Sequence, residues 1–379
     1  MIEFLNHGLN YIIPFLVILT VLVFVHEFGH YLIARWNKVR VEVFSIGFCP
    51  EMFGWWDRAG TRWKFSTIPL GGYVKMFGDS DASSGLPAPG LARLAPSERD
   101  VSFHYKRLGQ RAAIVAAGPA ANFLFAIVVL AVLFMTYGQP FTPAEVGQVQ
   151  AGSAAEQGGI QPGDVILNID GRTVQRFEDV QQVVRLNPGV PMTVVVRREG
   201  QEHSLHVTPS RTELTDRFGN HYQIGLLGIA RSGMEYVKRD PATAIMQAGT
   251  ETWDLSVATL KATWQIIIGT RATDELGGPL RIAQMSGEVA QGGIVAVLWF
   301  MAVLSINLGL INLFPVPVLD GGHLLFYAAE AVRGKPLGQR AQEYGFRIGL
   351  ALVLTLMVFA TWNDLVHLRI VEFVKGLVT

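Results

Sequence analysis

The sequence is poor in cysteine and in charged residues. It holds one cysteine, Cys49, among 379 residues, so no disulfide can form within the chain. Only 16% of the residues are charged, against roughly 25% in a soluble domain, while 50% are hydrophobic. The formal net charge is zero, which gives no electrostatic reason to expect a nucleic-acid partner. These shortages favour a membrane protein. The length of 379 residues is enough for two or three domain-sized units.

Positive charge is also missing from the first ten residues, which contain no lysine or arginine. A cleaved signal peptide needs a positively charged start and a small-residue cleavage site after its apolar stretch. Here the apolar stretch runs into His26 and Glu27 instead. The pattern therefore predicts a retained membrane helix.

Four apolar stretches are long enough to cross a bilayer, because about 20 helical residues span its ~30 Å hydrocarbon core. They cover approximately residues 9–34, 112–137, 294–314 and 344–362. Lysine and arginine cluster in the loops after the first and third stretches and are absent from residues 138–157. The positive-inside rule therefore predicts that both termini and the large 138–293 region lie outside the cytoplasm.

The segments between the spans have patterns of their own. Residues 41–48 and 62–68 are rich in β-branched and aromatic residues and are predicted strands. Residues 143–211 alternate strand, turn and helix patterns, which is typical of a compact α+β domain. Residues 241–268 predict an amphipathic helix that lies on the membrane surface. The predicted fold is a polytopic α-helical membrane protein with a β-hairpin region and an inserted domain, divided at 1–142, 143–211, 212–292 and 293–379.

The strongest motif is His-Glu-Phe-Gly-His at residues 26–30, inside the first span. His26 and His30 are four positions apart, so they share one helix face and together can bind one Zn²⁺. Glu27 can then act as general base on the water that the metal holds. A chance match, or two histidines that only pack, is the alternative interpretation. Ionisable residues inside a span cost about 2.5–3.5 kcal/mol each, however, and a bound cation supplies the compensating partner.

A catalytic zinc ion commonly has three protein ligands, so a third must come from elsewhere in the chain. The best candidate is Asp320, which follows the third span on the same predicted side of the membrane as His30. Pro315 and Pro317 interrupt the helix there, and irregular backbone at membrane depth suits a hydrated cavity. An ordinary helix-ending turn is the alternative, and His323 is a weaker ligand candidate.

Together these motifs resemble the site-2 protease family of intramembrane zinc metalloproteases, and most closely its bacterial branch, the regulator of sigma-E protease. The likeness covers nearly the whole chain. Residues 69–76 resemble the family's membrane-dipping β-hairpin, residues 118–122 its second-span motif, and residues 143–211 a PDZ domain. Some members have two PDZ domains, whereas this sequence has one clear copy.

The resemblance implies a role for each candidate residue. The implied zinc ligands are His26, His30 and Asp320, with Glu27 activating water. Asn312 is implied to contact the substrate backbone. An exposed strand near residues 71–74 can hold an extended substrate by strand addition, and a plain cytoplasmic hairpin is the alternative. The residues expected to bind substrate are Asn312, Gly71, Gly72, Tyr73 and Val74.

The leading interpretation is regulated intramembrane proteolysis, part of a stress response. Expected substrates are single-span membrane proteins, such as an anti-sigma factor already cut outside the membrane, and signal-peptide remnants. The protein is expected in the bacterial inner membrane, in contact with lipid, with its PDZ-like domain facing the periplasm and binding a peptide or filtering by size. A catalytically silent scaffold is one alternative, which Glu27 argues against. A metal transporter is another, but the second and fourth spans have almost no ionisable residues.

Overall fold

The computed structural model describes residues 2–79, 94–174, 176–215, 221–233, 235–269 and 277–367. The chain forms two compact units. Unit 1 contains the segments Met1–Val132, Ala244–Lys261 and Thr273–Thr379. Unit 2 contains the segments Leu133–Thr243 and Ala262–Ala272.

Helices dominate unit 1. In the described residues the α-helices of the chain are α1 (Ile2–Trp36), α2 (Pro96–Arg99), α3 (Leu108–Thr136), α4 (Ala154–Gln157), α5 (Phe177–Leu186), α6 (Pro241–Ile267), α7 (Pro279–Gln291), α8 (Ile294–Leu313), α9 (Asp320–Arg333) and α10 (Gln339–His367). Four of them are long and apolar enough to cross a membrane, over Asn10–Trp36, Leu108–Thr136, Ile294–Leu313 and Arg340–Val366. The sequence predicts all four, with ends displaced by a few residues because polar flanks such as Arg111 continue the helix.

Unit 1 also contains the sheet formed by β1 (Val41–Trp56) and β2 (Arg62–Met76). Residues 43–46 of β1 lie opposite both 62–65 and 72–75 of β2, so the two strands fold into several rows. β1 is longer than predicted because its second half also pairs with β2, where Phe53 stacks on Phe65. The row 72–75 is the part of the sheet that reaches the site described below.

Asp57, in the turn between β1 and β2, ties this sheet to α1. Its carboxylate accepts hydrogen bonds from the Tyr31 hydroxyl at 2.9 Å and from the Trp63 indole at 3.0 Å. Burial alone would raise the pKa of Asp57, but these bonds and two from the turn backbone hold it below its usual value. Tyr31 directly follows His30 on α1, so the sheet is anchored one residue from a candidate ligand.

The last third of unit 1 is arranged around α7, a helix that the sequence analysis does not predict. Asp364 of α10, 2% exposed, accepts hydrogen bonds from the backbone N–H groups at the start of α7, those of Gly278, Leu280 and Arg281. These bonds satisfy N–H groups that a helix cannot pair internally. The carboxylate therefore joins α7 to the last span.

Unit 2 is a small α+β unit with its own apolar core. Its strands are β3 (Gln139–Phe141), β4 (Val146–Val149), β5 (Val165–Ile169), β6 (Arg172–Thr173), β7 (Met192–Arg198), β8 (Gln201–Val207), β9 (Ser210–Thr215), β10 (His221–Leu226), β11 (Ile229–Arg231) and β12 (Glu235–Val237). A four-stranded sheet has the order β6-β5-β7-β8, and helix α5 lies within the predicted α+β domain. The predicted boundary at residue 211 falls inside this unit, since β11 pairs with β4 and β12 with β3.

The predicted amphipathic helix at 241–268 is α6, which begins after Asp240. The Asp240 carboxylate accepts a hydrogen bond from the Thr243 N–H at 3.1 Å and so caps the helix. One face buries the small residues Ala244, Ala248, Thr252 and Ser256. Trp253 and Trp264 are exposed on the other side, which agrees with an amphipathic helix. Its position on a membrane surface stays a prediction.

Candidate metal centre and active site

The structure brings the three predicted metal ligands together. His26 Nε2 lies 3.2 Å from Asp320 Oδ2, and His30 Nε2 lies 3.5 Å from the same oxygen. The two imidazole nitrogens are 3.3 Å apart. Each histidine is only 9% exposed. Two donor atoms from the first span therefore meet a third from a residue 290 or more positions later in the sequence.

The triangle has the dimensions of one face of a zinc coordination tetrahedron. With zinc-to-ligand distances of about 2.0–2.1 Å, tetrahedral ligand atoms stand about 3.3–3.4 Å apart. Asp320 Oδ2 is shielded from solvent, and no donor among the described residues reaches it in good hydrogen-bond geometry. A buried carboxylate oxygen without a donor is costly unless a cation balances it. Two imidazoles and one carboxylate are also a donor set that zinc commonly takes, so the residues fit the metal.

The carboxylate is presented by an irregular turn between α8 and α9. Asp320 is the first residue of α9, and residues 314–319 before it are not helical. Val318 has φ = 127°, a conformation that is strained for a β-branched residue, and strained residues of this kind cluster at functional sites. A Cβ on Gly321 would lie 2.2 Å from the Leu313 carbonyl oxygen, so only glycine lets the start of α9 pack this closely. The predicted break at the prolines is confirmed.

The second span supplies one face against both imidazoles. The His30 Nδ1–H donates to the Ile114 carbonyl at 2.9 Å, which leaves Nε2 with its lone pair toward Asp320. A Cβ on Gly118 would lie 2.3 Å from His30 Nε2, so glycine makes room for the rings. One turn further, the Asn122 side-chain amide is 3.1 Å from His26 Nδ1. Residues 114, 118 and 122 recur every fourth position and so lie on one helix face.

A cavity opens beside the triangle and includes most of the predicted substrate-binding residues. Glu27 lines it together with Gly72, Tyr73, Val74 and Asn312. A Cβ on Gly72 would stand 3.1 Å from Glu27 Cγ, so this row of the sheet directly contacts the motif helix. The Asn312 side-chain N–H donates to the Leu308 carbonyl at 3.0 Å. Gly71 does not line the cavity; it lies against the Phe48 ring.

The same cavity is lined by residues that sequence reasoning leaves out or underrates. His323 and Tyr327 lie three and seven positions after Asp320, on the same face of α9. Burial lowers the pKa of His323 and raises that of Tyr327. The Arg111 guanidinium lies 4.9 Å from the centre of the Tyr327 ring and pairs with Glu330 at 2.6 Å. The helical spacing from Asp320 was the signal available, but no helix is predicted there.

Comparison with known proteins identifies the family. The sequence profile of peptidase family M50 matches residues 14–356. The chain belongs to peptidase family M50. It is therefore a zinc metalloendopeptidase of the site-2 protease type, and its long apolar helices make it a multi-pass membrane protein. The sigma-E branch is not specified by this match.

Relatives of this M50 protease align over nearly its whole length. A protein named "Putative zinc metalloprotease Atu1380" from Agrobacterium fabrum is 49% identical over 360 residues, covering 94% of this chain and 96% of the relative. One named "Putative zinc metalloprotease R01501" from Rhizobium meliloti is 50% identical over 363 residues, covering 94% and 97%. Metalloprotease MmpA from Caulobacter vibrioides is 37% identical over 391 residues, covering 97% and 98%.

Among solved structures, the PDZ domain of an SdrC-like protein from Listeria monocytogenes aligns with 24% of the M50 protease chain. The alignment covers 88% of that structure with 15% identity and a TM-score of 0.19. A second PDZ domain, from Listeria innocua, covers 25% of the chain with 16% identity and a TM-score of 0.20. At these scores the likeness adds no argument to the fold described above.

Proposed function

We propose that this protease hydrolyses peptide bonds in or near the transmembrane segment of single-span membrane proteins. In this proposal His26, His30 and Asp320 hold the zinc ion and Glu27 is the general base. The observation that carries it is the convergence of the three donor atoms, 3.2–3.5 Å apart, beside a cavity that Glu27 also lines. The histidines lie on an apolar helix that is long enough to cross a membrane, which supports chemistry at membrane depth.

The roles of the residues follow from their positions. Bound zinc would supply Lewis-acid polarisation of the scissile carbonyl and lower the pKa of a water molecule to roughly 7. Glu27 faces the cavity next to His26, where its carboxylate can take the proton of the attacking water and pass it to the leaving amine. Asp320 stays ionised as a ligand. His30 is held in its binding orientation by the Ile114 carbonyl.

The substrate is held as an extended segment. A helical substrate hides its carbonyl groups in its own hydrogen bonds, so the segment must unwind before hydrolysis. The row of β2 at Gly72, Tyr73 and Val74 runs beside Glu27, where strand addition would align such a segment with the metal centre. The Asn312 side-chain oxygen, across the same cavity, is placed to contact the substrate backbone.

The wider setting follows from the charge distribution and the family. We place the protein in the bacterial inner membrane, with residues 143–211 forming a PDZ-like domain on the periplasmic side that binds a peptide or excludes bulky chains. The regions 1–142 and 293–379 supply the two pairs of spans, and the connector 212–292 begins with strands that pair within unit 2. An anti-sigma factor cut outside the membrane and signal-peptide remnants are the substrate candidates, so the reaction is regulated intramembrane proteolysis.

The test uses the full chain in lipid nanodiscs, with zinc content and cleavage of a single-span model helix measured on the same samples. Glu27→Gln should keep its zinc and lose cleavage by about 10²–10⁴-fold, the usual contribution of a general base. Glu288→Gln is the control, since Glu288 is an exposed carboxylate of unit 1 that bonds only Gln284 in the described structure. Undiminished cleavage by Glu27→Gln would contradict the mechanism. Zinc binding without cleavage by the unmodified protein would favour a scaffold.

A further inference from the structure

We propose that Asn122 orients His26 for zinc binding through its side-chain oxygen, which makes Asn122 a positioning residue of the metal centre. This inference rests on the ligand set of the proposed function. It starts from an inequality between the two histidines. The Nδ1–H of His30 donates to a backbone carbonyl, that of Ile114, at 2.9 Å. His26 Nδ1 has a side chain instead, the Asn122 amide at 3.1 Å.

The proton on each ring follows from what the other nitrogen does. A neutral imidazole carries one proton, and a nitrogen that binds a metal must be the unprotonated one. His26 Nε2 faces Asp320 and His30 at 3.2 and 3.3 Å, so Nε2 is the metal-facing nitrogen. His26 Nδ1 must then carry the proton and needs an acceptor.

Asn122 can supply that acceptor if its amide is turned about its last bond. In the structure the amide nitrogen Nδ2 faces His26 Nδ1, and two donors cannot form a hydrogen bond with each other. The Asn122 oxygen Oδ1 is buried and has no hydrogen-bond partner among the described residues. Amide oxygen and nitrogen occupy nearly equivalent positions, so the hydrogen-bond network decides between them. A half-turn pairs Oδ1 with the His26 N–H and so satisfies an oxygen that is otherwise orphaned.

The surroundings hold Asn122 in place for this task. Asn122 is 0% exposed, so bulk water does not compete for its amide. The Ser305 hydroxyl of α8 donates to the Asn122 backbone carbonyl at 2.9 Å, which links the second and third spans at this point. Gly118, one turn earlier, leaves the space that the two rings occupy. Ile114 and Asn122 therefore act as the outer hydrogen-bond partners of the two histidines on one helix face.

The experiment measures zinc affinity by chelator competition on the full chain in detergent micelles. Asn122→Leu keeps the volume and removes the acceptor, so zinc should bind about 10–100-fold more weakly. Asn122→Asp can only accept, so its zinc affinity should stay within about threefold of the unmodified protein or rise. Glu288→Gln is the control, because Glu288 is exposed and does not line the cavity beside the metal centre, and its zinc affinity should be unchanged.

The two Asn122 variants separate an acceptor from a packing residue. A residue that only packs would tolerate leucine and reject a buried carboxylate, the reverse of the expected order. Unchanged affinity in Asn122→Leu, or an equal loss in Asn122→Asp, would overturn the inference. If Asn122→Leu does not fold, Asn122→Asp alone decides by keeping or losing zinc. Absence of zinc from the unmodified protein would instead defeat the proposed ligand set.

Discussion

The two units of this protease differ in which side chains they bury. In unit 1 the last span exposes large apolar side chains, such as Ile348 at 69%, while Asn122 is fully buried. In unit 2 the apolar side chains are the buried ones, and Val194 and Ile169 are 0% exposed. The contrast follows from the solvent, because lipid does not drive apolar groups inward and water does. Polar groups at the centre of unit 1 therefore need a reason that packing does not give.

Asp164 of unit 2 and Asp320 of unit 1 each have a carboxylate oxygen that is shielded from solvent, and the two differ in their partners. Asp164 in unit 2 is 0% exposed and receives two bonds of 2.7 Å from Arg198, one to each oxygen, and a backbone N–H from Gln161 at 2.8 Å. Asp320 in unit 1 has an oxygen that no described donor satisfies. A carboxylate with a full set of donors stabilises its unit, whereas one that lacks them is placed to bind a cation.

The first test of this comparison removes the charge of Asp164, the aspartate whose oxygens all accept hydrogen bonds. Asp164→Asn leaves the partly exposed Arg198 guanidinium with a neutral partner and should destabilise unit 2 by roughly 1.5–3 kcal/mol, the usual contribution of hydrogen bonds to a charged group. Met192 is 2% exposed in the folded unit 2 and becomes accessible to peroxide when the unit unfolds. The extent of Met192 oxidation, measured at increasing urea concentration, therefore gives the free energy of unfolding of unit 2. The control is Asp170→Asn, at an exposed turn, which should change the free energy of unfolding of unit 2 by under about 0.5 kcal/mol. Zinc affinity should not change in either variant.

The pH dependence of the same unfolding identifies the cause. Burial alone would raise the pKa of Asp164, but the hydrogen bonds from Arg198 and Gln161 hold it below its usual value. A depressed pKa stabilises the folded state above the unfolded pKa of about 3.9, and this stability is lost as the pH falls through the folded pKa. The difference in the free energy of unfolding of unit 2 between Asp164→Asn and the unmodified protein should therefore become smaller below about pH 4. If this difference in free energy of unfolding stays constant down to pH 3, the ionised Asp164–Arg198 pair is not what stabilises unit 2.

The second test of the comparison replaces an exposed leucine by lysine on the surface of each unit. Leu354, in the middle of the last span, and Leu186, at the end of α5, are 46% and 71% exposed. Leu354→Lys should oppose membrane insertion of α10 by about 2.5–3.5 kcal/mol, which glycosylation mapping of the C-terminus measures. Leu186→Lys should alter the stability of unit 2 by under about 0.5 kcal/mol. Comparable small effects at both positions would show that Leu354 does not face lipid.

The sequence predicts what depends on local pattern. The four apolar helices, the spacing of His26 and His30, the break at Pro315 and the helix α5 all follow from composition, period or a single residue type. The convergence of Asp320 with the histidines could be inferred because the number of spans between them fixes the side of the membrane. Zinc itself follows from two imidazoles and a carboxylate.

What the sequence does not predict depends on contacts between distant segments. The helix α7 has a mixed pattern, and its first N–H groups bond Asp364, more than eighty residues later. The strands β11 and β12 are three residues long and gain their identity from pairing with β4 and β3. The proposed role of Asn122 also could not be predicted: residues 118–122 resemble a family motif, but nothing local to the second span indicates that a histidine of the first lies against it.

X-ray absorption of zinc bound to the full chain tests the central claim most directly. The account predicts a shell of nitrogen and oxygen at about 2.0–2.1 Å with the outer scattering of two imidazoles, and its loss in Asp320→Ala. A sulfur neighbour at about 2.3 Å would place zinc on the exposed Cys49 instead. Such a shell, or one that Asp320→Ala leaves unchanged, would contradict a metal centre built from His26, His30 and Asp320.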